Sequence, residues 1–188
     1  MTKEPDFSKK DLRKSRFEGE DLQEATFYRA NLENSNFYRA NLARADFDES
    51  NLAYAVLSNA DCTEANFNRA NLDHADCTEA NFREAYLLGV SLENANLINA
   101  DFYDACLSQS CANLYIEVIN WKNELRGDII HSSLRGAIVT GADFREADMQ
   151  GVDLRDVIGI NEAYLKGMKV IDPEGRLWIV GKGLADEE

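Results

Sequence analysis

Few residues in this 188-residue chain could do chemistry, and their spacing decides what they can do. Of the two histidines, His74 and His131, neither stands near the Cys, Asp and Ser partners that would make a catalytic triad or a metal site. Asp46, Asp61, Asp76 and Asp101 recur in a way that could supply carboxylate pairs for acid/base work. Regular recurrence argues against that role, because Asn and Asp repeated at one place more simply satisfy backbone groups at bends. Among four cysteines, Cys62 and Cys77 take places where large apolar residues otherwise recur and read as small core residues. Cys106 and Cys111 lie beside a break in the pattern, where they could be exposed and form a redox pair. There is no CxxC, no zinc spacing, no Gly-rich phosphate loop and no P-loop, so the sequence points to no enzyme and to no cofactor.

The formal charge is −14, from 34 acidic and 20 basic residues, which repels nucleic acid and membrane surfaces and favours basic partners. The opening "MTKEPDFSKKDLRKS" has no apolar signal region, and no stretch approaches the roughly 18 apolar residues of a membrane span. The expectation is a cytoplasmic protein with reduced thiols. It is read as one domain over residues 1–184, with an acidic tail at 185–188.

These residues must be positioned by elements of unusual period. In "ATFYRANLENSNFYRANLARADF", residues 25–47, a Phe or Leu recurs every fifth place with Ala or Ser two before it. The series of centres runs unbroken from Phe7 to Leu107 and includes Phe27, Phe47, Phe67, Phe82 and Phe102. On an α-helix each five-residue step advances about 140°, and in a flat strand an odd period alternates faces, so neither element buries the centres together. A backbone that turns through a constant angle at each repeat does, and it winds into a solenoid.

Repeats such as "ANLEN", "ADFDE", "ANFNR", "ANLDH" and "ADFYD" resemble the pentapeptide-repeat family, with its pattern A(D/N)LXX. The resemblance implies an all-β fold, a right-handed quadrilateral β-helix with four repeats per coil. Centres four repeats apart would then stack, Phe7 with Phe27, Phe47 and Phe67, and Phe82 with Phe102, in coils about 4.8 Å apart.

Repeats are expected over residues 5–111 and 127–158. After Leu107 the phase fails and resumes displaced by two residues, through Ile129, Leu134, Val139, Phe144, Met149 and Leu154. Extending the second run backwards would turn Glu124 inward, an expensive place for an unpaired carboxylate. An excursion is therefore expected within residues 108–127, with Trp121 its candidate contact residue. Residues 159–184 read as a cap. "MKVIDPEGRLWIV" there is a hairpin turning at Asp172-Pro173-Glu174-Gly175. No long helix is present of the kind through which resistance-type family members dimerise, so oligomeric state stays open.

Between Ala45 and Asp104, twelve carboxylates face two arginines, a net of ten negative charges. Three coils span about 14 Å, a length over which duplex DNA carries about eight phosphates. Four-sided stacking would align Glu64, Glu84 and Asp104 after Glu24 and Arg44, and a neighbouring column would hold Glu33, Asp73 and Glu93. Like charges at that spacing weaken a fold. Three readings stay open: a solubilising surface, a protein-interaction surface aided by Tyr28, Tyr38, Tyr54 and Tyr103 or by the loop near Trp121, and a DNA mimic. The last follows from resemblance to fluoroquinolone-resistance members, which occupy the DNA-binding saddle of DNA gyrase or topoisomerase IV. The expected partner is a protein, with a type II topoisomerase as one candidate, and neither a nucleic acid nor a membrane.

Overall fold

A computed structural model describes residues 5–107, 132–149, 152–160, 163 and 165, together with the backbones of 169–171, 177–179 and 183–184. Within each repeat the residue before the centre, here the lead residue, forms a parallel bridge to its counterpart four repeats on. Asp6 pairs with Thr26, Thr26 with Asp46 and Asp46 with Asn66. Lead residues Asp6, Asp11, Arg16 and Asp21 each start such a column, so a coil has four sides of one repeat each.

Three hydrogen bonds per repeat tie coil to coil. Phe27 donates to the Asp46 carbonyl at 2.7 Å, Asp46 donates back to Ala25 at 2.9 Å, and Arg29 donates to Asp48 at 2.9 Å. A fourth closes the corner, from Ala30 N–H to the Phe27 carbonyl at 2.9 Å. That is a four-residue turn, and its third residue takes a left-handed backbone with φ between 55° and 62° at twenty non-glycine residues. Such a conformation costs an L-residue about 1–2 kcal/mol, offset here by the inter-coil bond its own amide makes.

All the described centres point inward. Phe27, Phe47, Phe67, Phe82 and Phe102 are fully buried, and Phe7, in the end coil, is half-buried. Phe7, Phe27, Phe47 and Phe67 stack with ring centroids 4.8 Å apart, as do Phe82 and Phe102. Phe144 extends the second stack at 5.0 Å, and Phe17 on Phe37 makes a third at 4.9 Å. Phe37 meets Phe27 and Phe47 edge-on at 5.6 and 5.8 Å across the interior. Both geometries are favourable for aromatic quadrupoles. Ala25, Ala45, Ala65 and Ala85 fill the tight places beside the rings. Ser50 at that place donates to the Phe47 carbonyl at 2.7 Å, whereas the buried Ser35 hydroxyl has no partner among the described residues.

The bridge step changes once. Ser91, Asn96, Asp101 and Cys106 pair with Ser133, Ile138, Asp143 and Asp148, a longer step, and the ordinary four-repeat step then returns at Ser133 with Asp153. The ladder is thus continuous in space, with an insertion of four repeats and two residues over the ordinary step between Leu107 and the rejoining point. The two-residue phase displacement in the sequence is what that insertion leaves over after whole repeats. Buried Ser132 marks the rejoining point. Its hydroxyl accepts from Gly89 N–H at 3.0 Å and lies 2.9 and 2.7 Å from the carbonyls of Leu87 and Leu107, donating to one at a time. The expected excursion at 108–127, with Trp121 and Glu124, and the expected resumption through Ile129 lie outside the described residues.

Beyond the coils, β1 (Lys169–Ile171) and β2 (Leu177–Ile179) form the expected antiparallel hairpin, with Val170 opposite Trp178. A third strand not anticipated, β3 (Gly183–Leu184), pairs with β2. The turn at 172–176 and the tail at 185–188 lie outside the described residues. No helix among those described is long and apolar enough to cross a membrane.

Candidate interaction surface

The recurring lead carboxylates work on the backbone. Asp46 Oδ1 accepts from Asp48 N–H at 3.1 Å and Asp61 Oδ1 from Thr63 N–H at 3.1 Å, bracing each corner. The next coil adds a side-chain amide, from Asn66 to Asp46 at 2.9 Å and from Asn81 to Asp61 at 3.1 Å. Burial pushes the Asp46 carboxyl up. Burial also raises that of Asp76, but hydroxyl bonds from Thr78 and Ser58 and the Thr78 amide outweigh it, and the net shift is downward. Asp101 accepts from Tyr103 N–H at 2.9 Å and pairs with Arg83 at 3.2 Å.

Glu64, Glu84 and Asp104 stand one above another as expected. Glu64 N–H donates to Arg83 at 2.9 Å, Glu84 N–H to Tyr103 at 3.1 Å, and Asp104 N–H to Arg145 at 3.1 Å. That last bond makes Glu146 the fourth carboxylate of the row. Sequence reasoning missed it because the length of the insertion must be known before Asp104 and Glu146 align. All four are exposed, all occupy the left-handed turn position, and none has an ion pair among the described residues. Below them Arg44 is engaged by Glu24, which ends the row.

Cations beside this row are committed elsewhere. Arg83 bonds Asp101, and Arg145 bonds Asp143 at 2.6 Å, so both guanidinium groups serve the inner lead column. The Tyr103 ring lies between them, 4.4 Å from Arg83 and 5.9 Å from Arg145.

Glu33, Asp73 and Glu93 do not form a neighbouring column. Their centres are two repeats, half a coil, from those of the row, which puts them on the opposite side. They are half-buried, and their column runs between Arg13 below and Arg135 and Arg155 above. Asp73 accepts from Ser91 Oγ and from Glu93 N–H at 3.0 Å, and Glu93 accepts from Ser133 Oγ at 3.1 Å. A third side is compensated, with Arg29 on Glu49 at 2.5 Å and Arg69 on Asp48 at 2.6 Å and on Glu49 at 3.2 Å. Exposed pairs of this kind add little to stability, yet they remove charge from the surface.

Nor do the tyrosines gather. Tyr28, Tyr38, Tyr54 and Tyr103 follow centres Phe27, Phe37, Leu52 and Phe102, one on each of the four sides. Tyr28 and Tyr38 lie under Arg29 and Arg39 at 5.0 Å, and Tyr54 stacks on His74 at 4.7 Å. No single aromatic patch results.

Cys62 and Cys77 are buried and free, and burial pushes both thiols far up. Cys106 is buried rather than exposed, and it is disulfide-bonded, which overturns the expectation of reduced thiols for this residue. Cys111, His131 and Trp121 lie outside the described residues. No group of His, Cys, Asp and Glu able to hold a metal ion occurs among those described.

Four-sided coils of five-residue repeats, with stacked large centres inside and a carboxylate row outside that is unpaired among the described residues, define a β-solenoid. The chain belongs to the pentapeptide-repeat family. A family model described as a pentapeptide repeat region matches residues 20–97, and one described as pentapeptide repeats in eight copies matches residues 128–158. Among solved structures, a pentapeptide repeat protein of the Arabidopsis thaliana thylakoid lumen is 31% identical, with 65% of this chain and 85% of that one covered and a TM-score of 0.54. HetL, a pentapeptide repeat protein involved in heterocyst differentiation regulation in the cyanobacterium Nostoc, is 26% identical, with 93% and 77% covered and a TM-score of 0.45. QnrB1, a plasmid-mediated fluoroquinolone resistance protein, is 15% identical, with 88% and 93% covered and a TM-score of 0.44. No curated protein matches the chain.

Proposed function

We propose that the protein is a non-enzymatic scaffold that presents the row Glu64, Glu84, Asp104 and Glu146 to a basic surface of a partner protein in the cytoplasm. The observation that carries this reading is the distribution of pairing. Among the described residues every arginine but Arg39, which lies over Tyr38, pairs with a carboxylate, whereas these four exposed carboxylates have no ion pair. Like charges held one coil apart repel each other, and a cationic partner surface relieves that repulsion. The test is affinity capture with the native protein and with Glu64→Gln/Glu84→Gln/Asp104→Asn/Glu146→Gln, at low and at high salt. The expected result is a basic protein held by the native chain at low salt and lost both to the substitutions and to salt. A partner indifferent to both would refute it.

DNA mimicry toward a type II topoisomerase is the finer version, supported by the row's linear charge. It carries one charge per coil, about 4.8 Å, against about 3.4 Å per phosphate along one DNA strand. A supercoiling assay with DNA gyrase in low salt tests it, and failure of a large molar excess to inhibit removes it while leaving the broader reading intact.

A further inference from the structure

The place two before each centre points into the coil and carries a small residue through the stack: Ala30, Ser35 and Ala40 in the second coil, then Ala45, Ser50, Ala55 and Ala60. The first coil departs from this. Lys10, Ser15 and Glu20 hold the equivalent places, and Lys10 and Glu20 are exposed where their counterparts are buried. With no coil beneath them among the described residues, both side chains stay exposed to water. Lys10 also folds back, its Nζ lying 5.2 Å from the Phe7 ring centroid and donating to the Asp6 carbonyl at 3.0 Å.

What lies there is otherwise a surface ready for pairing. The amides of Asp11, Arg16 and Asp21 donate no hydrogen bond among the described residues, whereas their counterparts Asn31, Asn36 and Asn41 donate at 2.9 Å to Lys10, Ser15 and Glu20. Phe7 and Leu12 are half-buried, and Phe17 and Leu22 lie close above. A four-sided end with this spacing of donors and rings fits another coil end, and the nearest source of one is a second copy of this chain, related by a two-fold axis.

We propose that Lys10 and Glu20 close the N-terminal end of the solenoid to a second copy, so that partners meet this protein on its sides. Stacking a copy there would strip water from two lysines and two glutamates, which is unfavourable without well-made pairs. Without the two charges, the first described coil offers an unpaired β-edge beside half-buried Phe7 and Leu12.

The test is sedimentation of the full chain and of Lys10→Ala/Glu20→Ala over a hundredfold range of concentration, with amide hydrogen exchange at Asp11, Arg16 and Asp21. The native chain is expected to show no association through this end and fast exchange at the three amides. The double variant is expected to associate as concentration rises and to slow those amides at least tenfold. If the alanine pair disturbs the first coil, Lys10→Ser/Glu20→Ser, which copies Ser15, Ser35 and Ser50, gives the same reading. A double variant that stays as dispersed as the native chain overturns the proposal. So does a native chain that already associates there, which would show as loss with Lys10→Glu and rescue with Lys10→Glu/Glu20→Lys.

Discussion

Deleting residues 109–130 removes the whole length by which the long bridge step exceeds the ordinary one, joining Ser108 to His131 as the two turn residues between Leu107 and Ser132. The deletion should leave every described rung in place, from Ser91 with Ser133 to Ile138 with Ile158. Its effect on stability can be worked from loop closure. Shortening the connection twelvefold, from positions 108–131 to the two turn residues, lowers the entropy cost by (3/2)RT ln 12, about 2 kcal/mol at 25 °C. For a chain of this size that raises the melting temperature by about 4–8 °C. Native and shortened chains are compared under reducing conditions, so that the Cys106 disulfide does not enter. Deleting residues 109–128 instead leaves the frame two residues out of step. Those two extra residues must bulge from one corner, so Leu134, Val139, Phe144 and Met149 keep their inward places and the gain falls to (3/2)RT ln 6, about 1.6 kcal/mol. Circular dichroism on heating and hydrogen exchange at Asp143 and Asp148, whose amides donate to Ala100 and Ala105 at 2.8 and 3.0 Å, read both outcomes. A lower melting temperature in the 109–130 deletion, or loss of protection at Asp143 in it, would refute the idea of one continuous ladder.

Ser35→Ala, which removes a buried hydroxyl without a partner, should stabilise the fold by about 1 kcal/mol in chemical denaturation, whereas Ser50→Ala, which breaks the bond to Phe47, should give no gain. Thiol titration should find no fast-reacting thiol in the folded, non-reduced chain, two after denaturation and four after reduction as well, because Cys62 and Cys77 are buried and Cys106 is bonded. The Asp153 carboxyl is held down at about 2 by its hydrogen bonds with Arg155. The unfolded chain therefore takes up this proton first, and the pair's contribution is complete above the ordinary carboxylate range and lost as pH falls towards 2. Acid unfolding of Asp153→Asn should accordingly be shallower between pH 4 and 2, and an unchanged profile would count against the pairing. Phe47→Ala, which empties the middle of the longest ring stack, should cost about 3–5 kcal/mol by denaturant titration.

The interior was legible because one rule, a large residue every fifth place, is stated more than twenty times in the chain. It gave the ring stacks and the burial of Cys62 and Cys77, and it marked Asp46 and Asp61 as corner braces. What escaped depends on counting around the coil. Glu33, Asp73 and Glu93 looked adjacent to the acidic row along the chain, yet two repeats are half a turn, and the four tyrosines scatter for the same reason. Glu146 joined the row only once the insertion was measured in coils. The pairing of Arg83 and Arg145 with the inner carboxylates depends on side-chain reach, which no periodicity encodes.

The left-handed corner limits what this protein can show to others. Among the twenty non-glycine residues found there, none is Val, Ile, Thr or Pro. Branching at Cβ or a fixed ring would strain the bend. The outermost vocabulary of the rod is therefore confined to straight-chain, planar and amide side chains. Natural variation can rewrite its electrical pattern letter by letter, from Arg44 to Glu64 for instance, while the contour of the backbone stays the same.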